Sequence, residues 1–485
     1  MKKTFHIIGV LALGIVLTFS GCSKFEDFGS TNLNPGATNL PITSALLTNV
    51  LSGVGGFAAS NTSSLYCQYY SETQYPDISC YAANSASPMA NYSGMLYDLQ
   101  NIIINNTDDA TKGTAALNGS NANQIAVAKI LQCYIYWVMT DRWGDLPYTD
   151  ALKGDPNVKF DPQETIYKGM IKTLADLVPT FDNGAALVGD VAYNGDITKW
   201  KKLANSMRLL MSLRLSKVYP LASDYAATQF KAALADANGT ISANADNFTI
   251  NYPGGSFKNP YFSMYDGRKD YGESDVMTGL MTNLNDARQS VFGANLNGGA
   301  SSLGVPYGHA RAFATDWTTK NPNYTYVFAP NYRKENTPLC VVRAASVLLA
   351  RAEAADKGWT TETTATLFTQ GVNAAFDQWS LAAPASSYFT NTSVALGAAG
   401  SNLPQIALQQ YLAYYPDGIQ GWSNWRRTGY PVLTPAVDGT NTPKVIPRRF
   451  MYGTAEYSLN KTGVDEAVAR ISGGDKMESK VWWDK

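Results

Sequence analysis

Pro338-Leu339-Cys340-Val341-Val342-Arg343-Ala344-Ala345-Ser346-Val347-Leu348-Leu349-Ala350-Arg351-Ala352-Glu353-Ala354-Ala355-Asp356-Lys357-Gly358-Trp359 is the stretch that decides the fold. Val341, Ala345, Leu348, Leu349 and Ala352 recur every three or four residues and give a helix one apolar face, which ends near Gly358. Leu367, Gly371, Ala374, Ala375 and Phe376 mark a second helix. Small residues at Ala350, Ala354, Gly371 and Ala374 let the two backbones approach closely, so the segment reads as an antiparallel hairpin.

Tetratricopeptide hairpins pack in this way, and two earlier helix pairs read as degenerate copies: 88–105 with 123–143, and 163–178 with 197–218. Met89, Tyr92, Leu96, Leu99 and Ile103 form the buried face of the first helix, and Ile125, Ala128, Leu131, Ile135 and Val138 that of its partner. Asp161-Pro162-Gln163-Glu164 is a capping signal, with Asp161 expected at the cap. From Ile197 to Val218, Trp200, Leu203, Met207, Leu210 and Leu213 point inward, with Lys201, Lys202, Arg208 and Arg214 largely outward. Further helices are expected after Thr43 or Ser44, over Leu65 to Tyr75, between Ser223 and Gly239, and from Leu403 to Tyr415, beyond which a turn-rich tail follows. The expected fold class is mostly α: tetratricopeptide-like helical hairpins forming one large body, with a long loop-rich aromatic insertion and an irregular C-terminal region. The hairpins occupy 41–239, the insertion 240–335, and a further hairpin with a C-terminal plug 336–485.

Only Ser274 to Ala287 reads as a helix inside the insertion, where Asn, Gly, Pro, Tyr and Phe dominate. Long irregular segments in a helical body commonly carry function. Aromatic faces stack on the C–H face of a sugar or on peptide side chains, while phenols and amides fix hydroxyls. Tyr261, Tyr265, Tyr307, Trp317, Tyr324 and Tyr326 are the candidate ligand-binding residues. In the tail, Trp422, Trp425, Arg426, Arg427, Arg448, Arg449, Trp482 and Trp483 read better as a packed plug than as a binding surface.

At the other end, Lys2 and Lys3 precede an apolar run from Phe5 to Phe19 and then Ser20-Gly21-Cys22. This is a secretory signal over 1–21, shorter than the ~20 apolar residues of a membrane span. A cysteine directly after the small residues resembles the lipobox of bacterial lipoproteins, in which Cys22 is acylated, and 22–40 reads as a tether. The chain has 38 Lys and Arg against 39 Asp and Glu with no basic block, which argues against nucleic acid as a partner. One of its two histidines, His6, leaves with the signal. His309 alone would have to serve any triad, and a multi-histidine metal site is excluded. Of the remaining cysteines, Cys67 and Cys80 are the one pair close enough in sequence to suggest a bridge, while Cys133 reads as a buried hydrophobe. Asp266, Asp270, Glu273 and Asp275, or Asp141 with Asp145, offer the carboxylate pairs a glycoside hydrolase needs, but spacing in a loop does not establish one. No cofactor is implied. No EF-hand pattern appears, and a structural calcium ion stays open.

Seven stretches together resemble the SusD/RagB-like outer-membrane lipoproteins, particularly the second SusD-like subgroup: the lipobox at Cys22; Thr31-Asn32-Leu33-Asn34-Pro35; Asp141-Arg142-Trp143-Gly144-Asp145-Leu146-Pro147-Tyr148; Leu213-Arg214-Leu215-Ser216-Lys217; Ala352-Glu353-Ala354-Ala355 with Gly358-Trp359; Trp425-Arg426-Arg427-Thr428-Gly429-Tyr430-Pro431; and Ile446-Pro447-Arg448-Arg449-Phe450. The resemblance implies a non-catalytic lipoprotein, anchored in the outer membrane and facing the exterior. It also implies a TonB-dependent, SusC-like transporter as partner, with an oligosaccharide, or in some relatives a peptide, as ligand. Where relatives tend to carry an acidic residue, this chain has Arg343-Ala344-Ala345-Ser346. The shared motifs read as structural, so the resemblance assigns no ligand-contacting residue.

Overall fold

A computed structural model describes residues 41–155 and 157–485; the signal, Cys22 and the tether lie outside the described residues. The body is an array of helices. α1 (Thr43–Ala58) and α2 (Asn61–Tyr66) are followed by α3 (Tyr97–Thr107), α4 (Asn121–Trp143), α5 (Gln163–Leu177), α6 (Ile197–Arg214) and α7 (Tyr225–Leu234). After the insertion come α8 (Ala344–Asp356), α9 (Thr364–Asp377), α10 (Leu403–Tyr414), α11 (Gly418–Thr428) and α12 (Lys461–Ala469). α3 packs on α4, α5 on α6, and α8 on α9, which are the three hairpins the periodicity predicts; α4 on α5 and α6 on α8 join them into one continuous core. A side chain at Gly371 would meet Leu349 Cγ at 2.7 Å, so the α8–α9 approach depends on that glycine.

Several local expectations are corrected. The helix expected over 88–105 is broken at Gly94, whose φ/ψ of −101°/−112° is not helical, so α3 begins only at Tyr97. Asp161 does not cap α5: its Oδ2 accepts from the Tyr148 and Thr149 amides, while Asp145 Oδ1 takes the Gln163 amide at 2.8 Å. Arg214 is buried rather than outward, its guanidinium over the Trp137 and Trp483 rings and 3.7 Å from Asp141. The helix expected over 65–75 stops at Tyr66, Gln68 turns the chain at a φ of +61°, and β1 (Tyr70–Glu72) follows. That run is buried on both sides, so it has no alternation by which a strand could be told from a helix. The turn-rich tail holds α11, which was not expected because Gly418 and Gly421 weaken helix propensity. A Cβ there would lie 2.2 Å from the Ser64 amide and 2.5 Å from the Tyr69 hydroxyl, so glycines let α11 close on α2. Cys67 and Cys80 are free buried thiols, not a bridge.

Among the described residues there are three two-stranded ribbons, of which two bind the insertion to the body and the third lies within the insertion. β1 pairs antiparallel with β3 (Tyr271–Glu273), β2 (Phe248–Ile250) with β6 (Leu339–Val342), and β4 (Gly293–Ala294) with β5 (Tyr326–Val327). Within the insertion the helix over Asp275–Leu284 follows the expectation, with Ser274 Oγ accepting from the Met277 amide. A further helix spans Arg311–Lys320. Among the described residues no helix is long and apolar enough to cross a membrane.

Candidate functional site

The six candidate rings separate into two groups. Tyr261 and Tyr307 are buried, and their hydroxyls donate to the Ala58 and Leu65 carbonyls at 3.1 and 2.7 Å. They anchor the insertion to α1 and α2, and neither presents a face to a ligand, which corrects their assignment. Tyr265, Trp317, Tyr324 and Tyr326 meet around Val305 in a small satellite cluster. Tyr324 stacks on Tyr326 with centroids 4.5 Å apart, Tyr265 meets Tyr326 edge-on at 5.4 Å, and Trp317 lies 6.5 Å from Tyr324. The Tyr265 hydroxyl donates to the Tyr271 carbonyl and accepts from the Val327 amide, both at 3.0 Å. Tyr324 and Tyr326 are buried as deeply as Tyr261 and Tyr307, which corrects their assignment as well, and Trp317 is half-buried at the edge of the cluster.

The β1–β3 pairing sets an open cleft beside this cluster. Past β1, the Thr73 amide donates to the Asp270 carbonyl at 2.9 Å and its hydroxyl to the Lys269 carbonyl at 2.7 Å. Gly267, at a φ of +103°, turns the opposing segment. Gln74, Tyr75, Arg268, Lys269 and Asp270 then line a shallow cleft of about 440 Å³. Tyr75 is 43% exposed, and two guanidinium groups cover its ring: Arg268 at 5.1 Å and Arg311, from the 311–320 helix, at 4.6 Å. Phe313 on that helix is also exposed and stacks on His309 at 4.0 Å. Burial raises the Tyr324 phenol, aided by the Tyr326 hydroxyl. Sequence reasoning missed Tyr75 because it closed a stretch read as helix; the Tyr75-Pro76 step was the available signal.

The carboxylates that could have formed a hydrolase pair are engaged elsewhere. Asp266 pairs with Lys258 at 3.1 Å, Asp270 with Arg268 at 2.6 Å, and Asp275 accepts from the Tyr307 amide. Glu273 is enclosed, and burial raises it to about 8 against a hydrogen bond from Gln289. Asp141 accepts from Trp483 Nε1 and the Tyr167 hydroxyl, and Asp145 pairs with Arg470. Among the described residues no group of three or more His, Cys, Asp and Glu side chains could hold a metal ion. An apolar groove of about 270 Å³, bordered by Met89, Tyr97, Leu152 and Leu459, presents few polar groups to orient a sugar.

The quoted motifs that lie within the described residues meet one another. Arg427 is bonded to Glu353 (Nη2–Oε2 2.7 Å), Arg449 Nη2 to the Trp143 carbonyl at 3.0 Å, and Arg214 Nε lies 3.7 Å from Asp141 Oδ2. Arg343, at the departure from the expected acidic residue, donates to the Tyr414 carbonyl at 3.1 Å. These motifs brace helices and leave the cleft untouched.

A family model described as "SusD-like_2: Starch-binding associating with outer membrane" matches residues 35–453. A chitin-binding protein of known structure is 28% identical, covering 91% of this chain and 99% of its own, with a TM-score of 0.74. A SusD homolog from Bacteroides uniformis ATCC 8492 is 24% identical over 92% of this chain and 99% of its own, with a TM-score of 0.76. A chitin-binding SusD homolog from Flavobacterium johnsoniae is 22% identical over 91% and 98%, with a TM-score of 0.77; these last two share the fold. No curated protein matches the chain.

Proposed function

This chain belongs to the SusD-like family of outer-membrane nutrient-binding proteins, and on that premise we propose that it captures a glycan at the cell surface and passes it to a TonB-dependent transporter. The family is one of binding proteins without catalysis. In this proposal Cys22 carries the lipid anchor, the described body faces the exterior, and the SusC-like partner receives the ligand. Acyl chains contribute about 0.8 kcal/mol per buried CH₂, enough together for stable anchoring.

The observation that carries the glycan is the open cleft at Tyr75 beside the ring cluster ending in Trp317. Saccharide sites combine an exposed aromatic edge with a few convergent polar groups on a rigid frame. The frame here is the β1–β3 ribbon and the helix over Arg311–Lys320.

The test is calorimetry of the soluble form beginning after Cys22 against a panel of oligosaccharides and peptides, with products assayed in the same samples. Saturable binding of one saccharide class without products is the expected result. Turnover, or binding of peptides alone, would overturn it.

A further inference from the structure

We propose that the cleft at Tyr75 selects a saccharide bearing acid groups, uronates or sulfate esters, with Arg311, Arg268 and Lys269 as its specificity-determining residues. This rests on the capture function proposed above and narrows its ligand class.

Three cations converge there. Arg268, Lys269 and Arg311 are all exposed, and Asp270, held by Arg268, is the sole carboxylate lining the cleft. Among the described residues, neither Arg311 nor Lys269 has a carboxylate within ion-pair distance. The nearby acids are committed: Asp266 to Lys258, Asp316 to Lys320 along the helix, and Asp438 to the Ala310 amide, while Asp77 lies beside Glu72 and Cys80. The cleft therefore keeps a net positive charge.

Tyr75 carries the second part of the inference. A neutral sugar stacks on a bare aromatic face, but two guanidinium groups already lie over this ring. Both guanidinium groups lie close to the centre of this one ring, at 5.1 and 4.6 Å, and the N–H groups of Arg311, with those of Arg268 not bonded to Asp270, are left for an incoming anion. Guanidinium binds carboxylate and sulfate oxygens in paired, charge-assisted hydrogen bonds, and an ammonium such as that of Lys269 adds a point charge. The half-buried Trp317 lies on the helix that carries Arg311.

The test uses the soluble form and four probes: tetragalacturonate, a sulfated galactan tetramer, the chitin tetramer and a pentaglutamate peptide. The expected result is that one or both acidic saccharides bind at least tenfold tighter than the chitin tetramer. Arg311→Gln and Arg268→Gln should each weaken that binding about tenfold without moving the thermal midpoint, and raising salt from 50 to 500 mM should weaken it further, as screening requires. Whether tetragalacturonate or the sulfated tetramer binds identifies the acid group. Equal or tighter binding of the chitin tetramer, unaffected by Arg311→Gln, would overturn acid selection and leave the capture function standing. Binding of pentaglutamate alone, or silence of a folded protein toward every saccharide, would overturn both.

Discussion

The C-terminal plug and the cleft at Tyr75 are built from the same parts, arginine laid over aromatic rings, and differ in what closes them. In the plug, the Arg426 guanidinium lies 3.6 Å from the Trp422 ring and 4.7 Å from that of Trp483 and donates to the Arg448 carbonyl at 2.7 Å. Trp483 and Asp484 are fully buried, with Asp484 holding Lys217 and Arg448. Burial pushes Arg426 down to about 9, which marks a charge held without water. In the cleft, Arg268 and Arg311 cover a ring still 43% exposed. Identical side-chain chemistry is cement where the chain encloses it and a recognition surface where the chain leaves it open.

The largest effects should come from breaking the enclosed side. Arg427→Ala strands Glu353 in the core and should cost about 3–5 kcal/mol in thermal or urea unfolding, whereas replacing both by apolar residues of similar volume should recover most of that loss. Trp483→Ala empties a site at the end of the chain and removes the hydrogen bond to Asp141, for a loss of about 3–5 kcal/mol by the same assay. A loss below about 1 kcal/mol in either variant would show that the plug is not sealed.

Glu273 sharpens the comparison from inside the ribbon that carries the cleft. Its folded carboxyl is raised by burial from 4.5 to about 8, so the folded protein keeps a proton that the unfolded chain releases. Its contribution to stability is complete below the unfolded value and is lost as pH rises through about 8. Thermal midpoints should therefore fall across that window, and Glu273→Gln should flatten the decline, the variant gaining on the order of a few kcal/mol over the parent near pH 8.5. Parallel pH profiles for the two proteins would refute this. The smallest effect belongs to the open side: Arg311→Gln should change stability by less than about 0.5 kcal/mol, and a larger loss would mean that the cleft, too, is structural.

Much of the architecture was legible in order along the chain. Apolar spacing located α3–α4, α5–α6 and α8–α9 as pairs, because a helix buried on one face writes its period into the sequence. Spacing failed where burial is all-round or where a contact substitutes for propensity: at β1, and in α11, whose glycines answer to Ser64 and Tyr69. For the site, four of the six candidate rings meet at Val305, two of them, Tyr324 and Tyr326, buried there, while Tyr261 and Tyr307 proved to be anchors. Composition does not distinguish a phenol satisfied by a carbonyl more than a hundred residues away from one facing solvent.

By itself the sequence determined the helical class, the hairpin pairing and the motif set that marks the family, since these depend on local periodicity and on short runs of residue types. Only the tertiary structure decided which rings lie inside, how motifs hundreds of residues apart brace one another, and that Tyr75 of one strand end meets Arg268 and Arg311 from two other segments. Burial and charge pairing are properties of the assembled chain, because each depends on neighbours that the linear order keeps far apart.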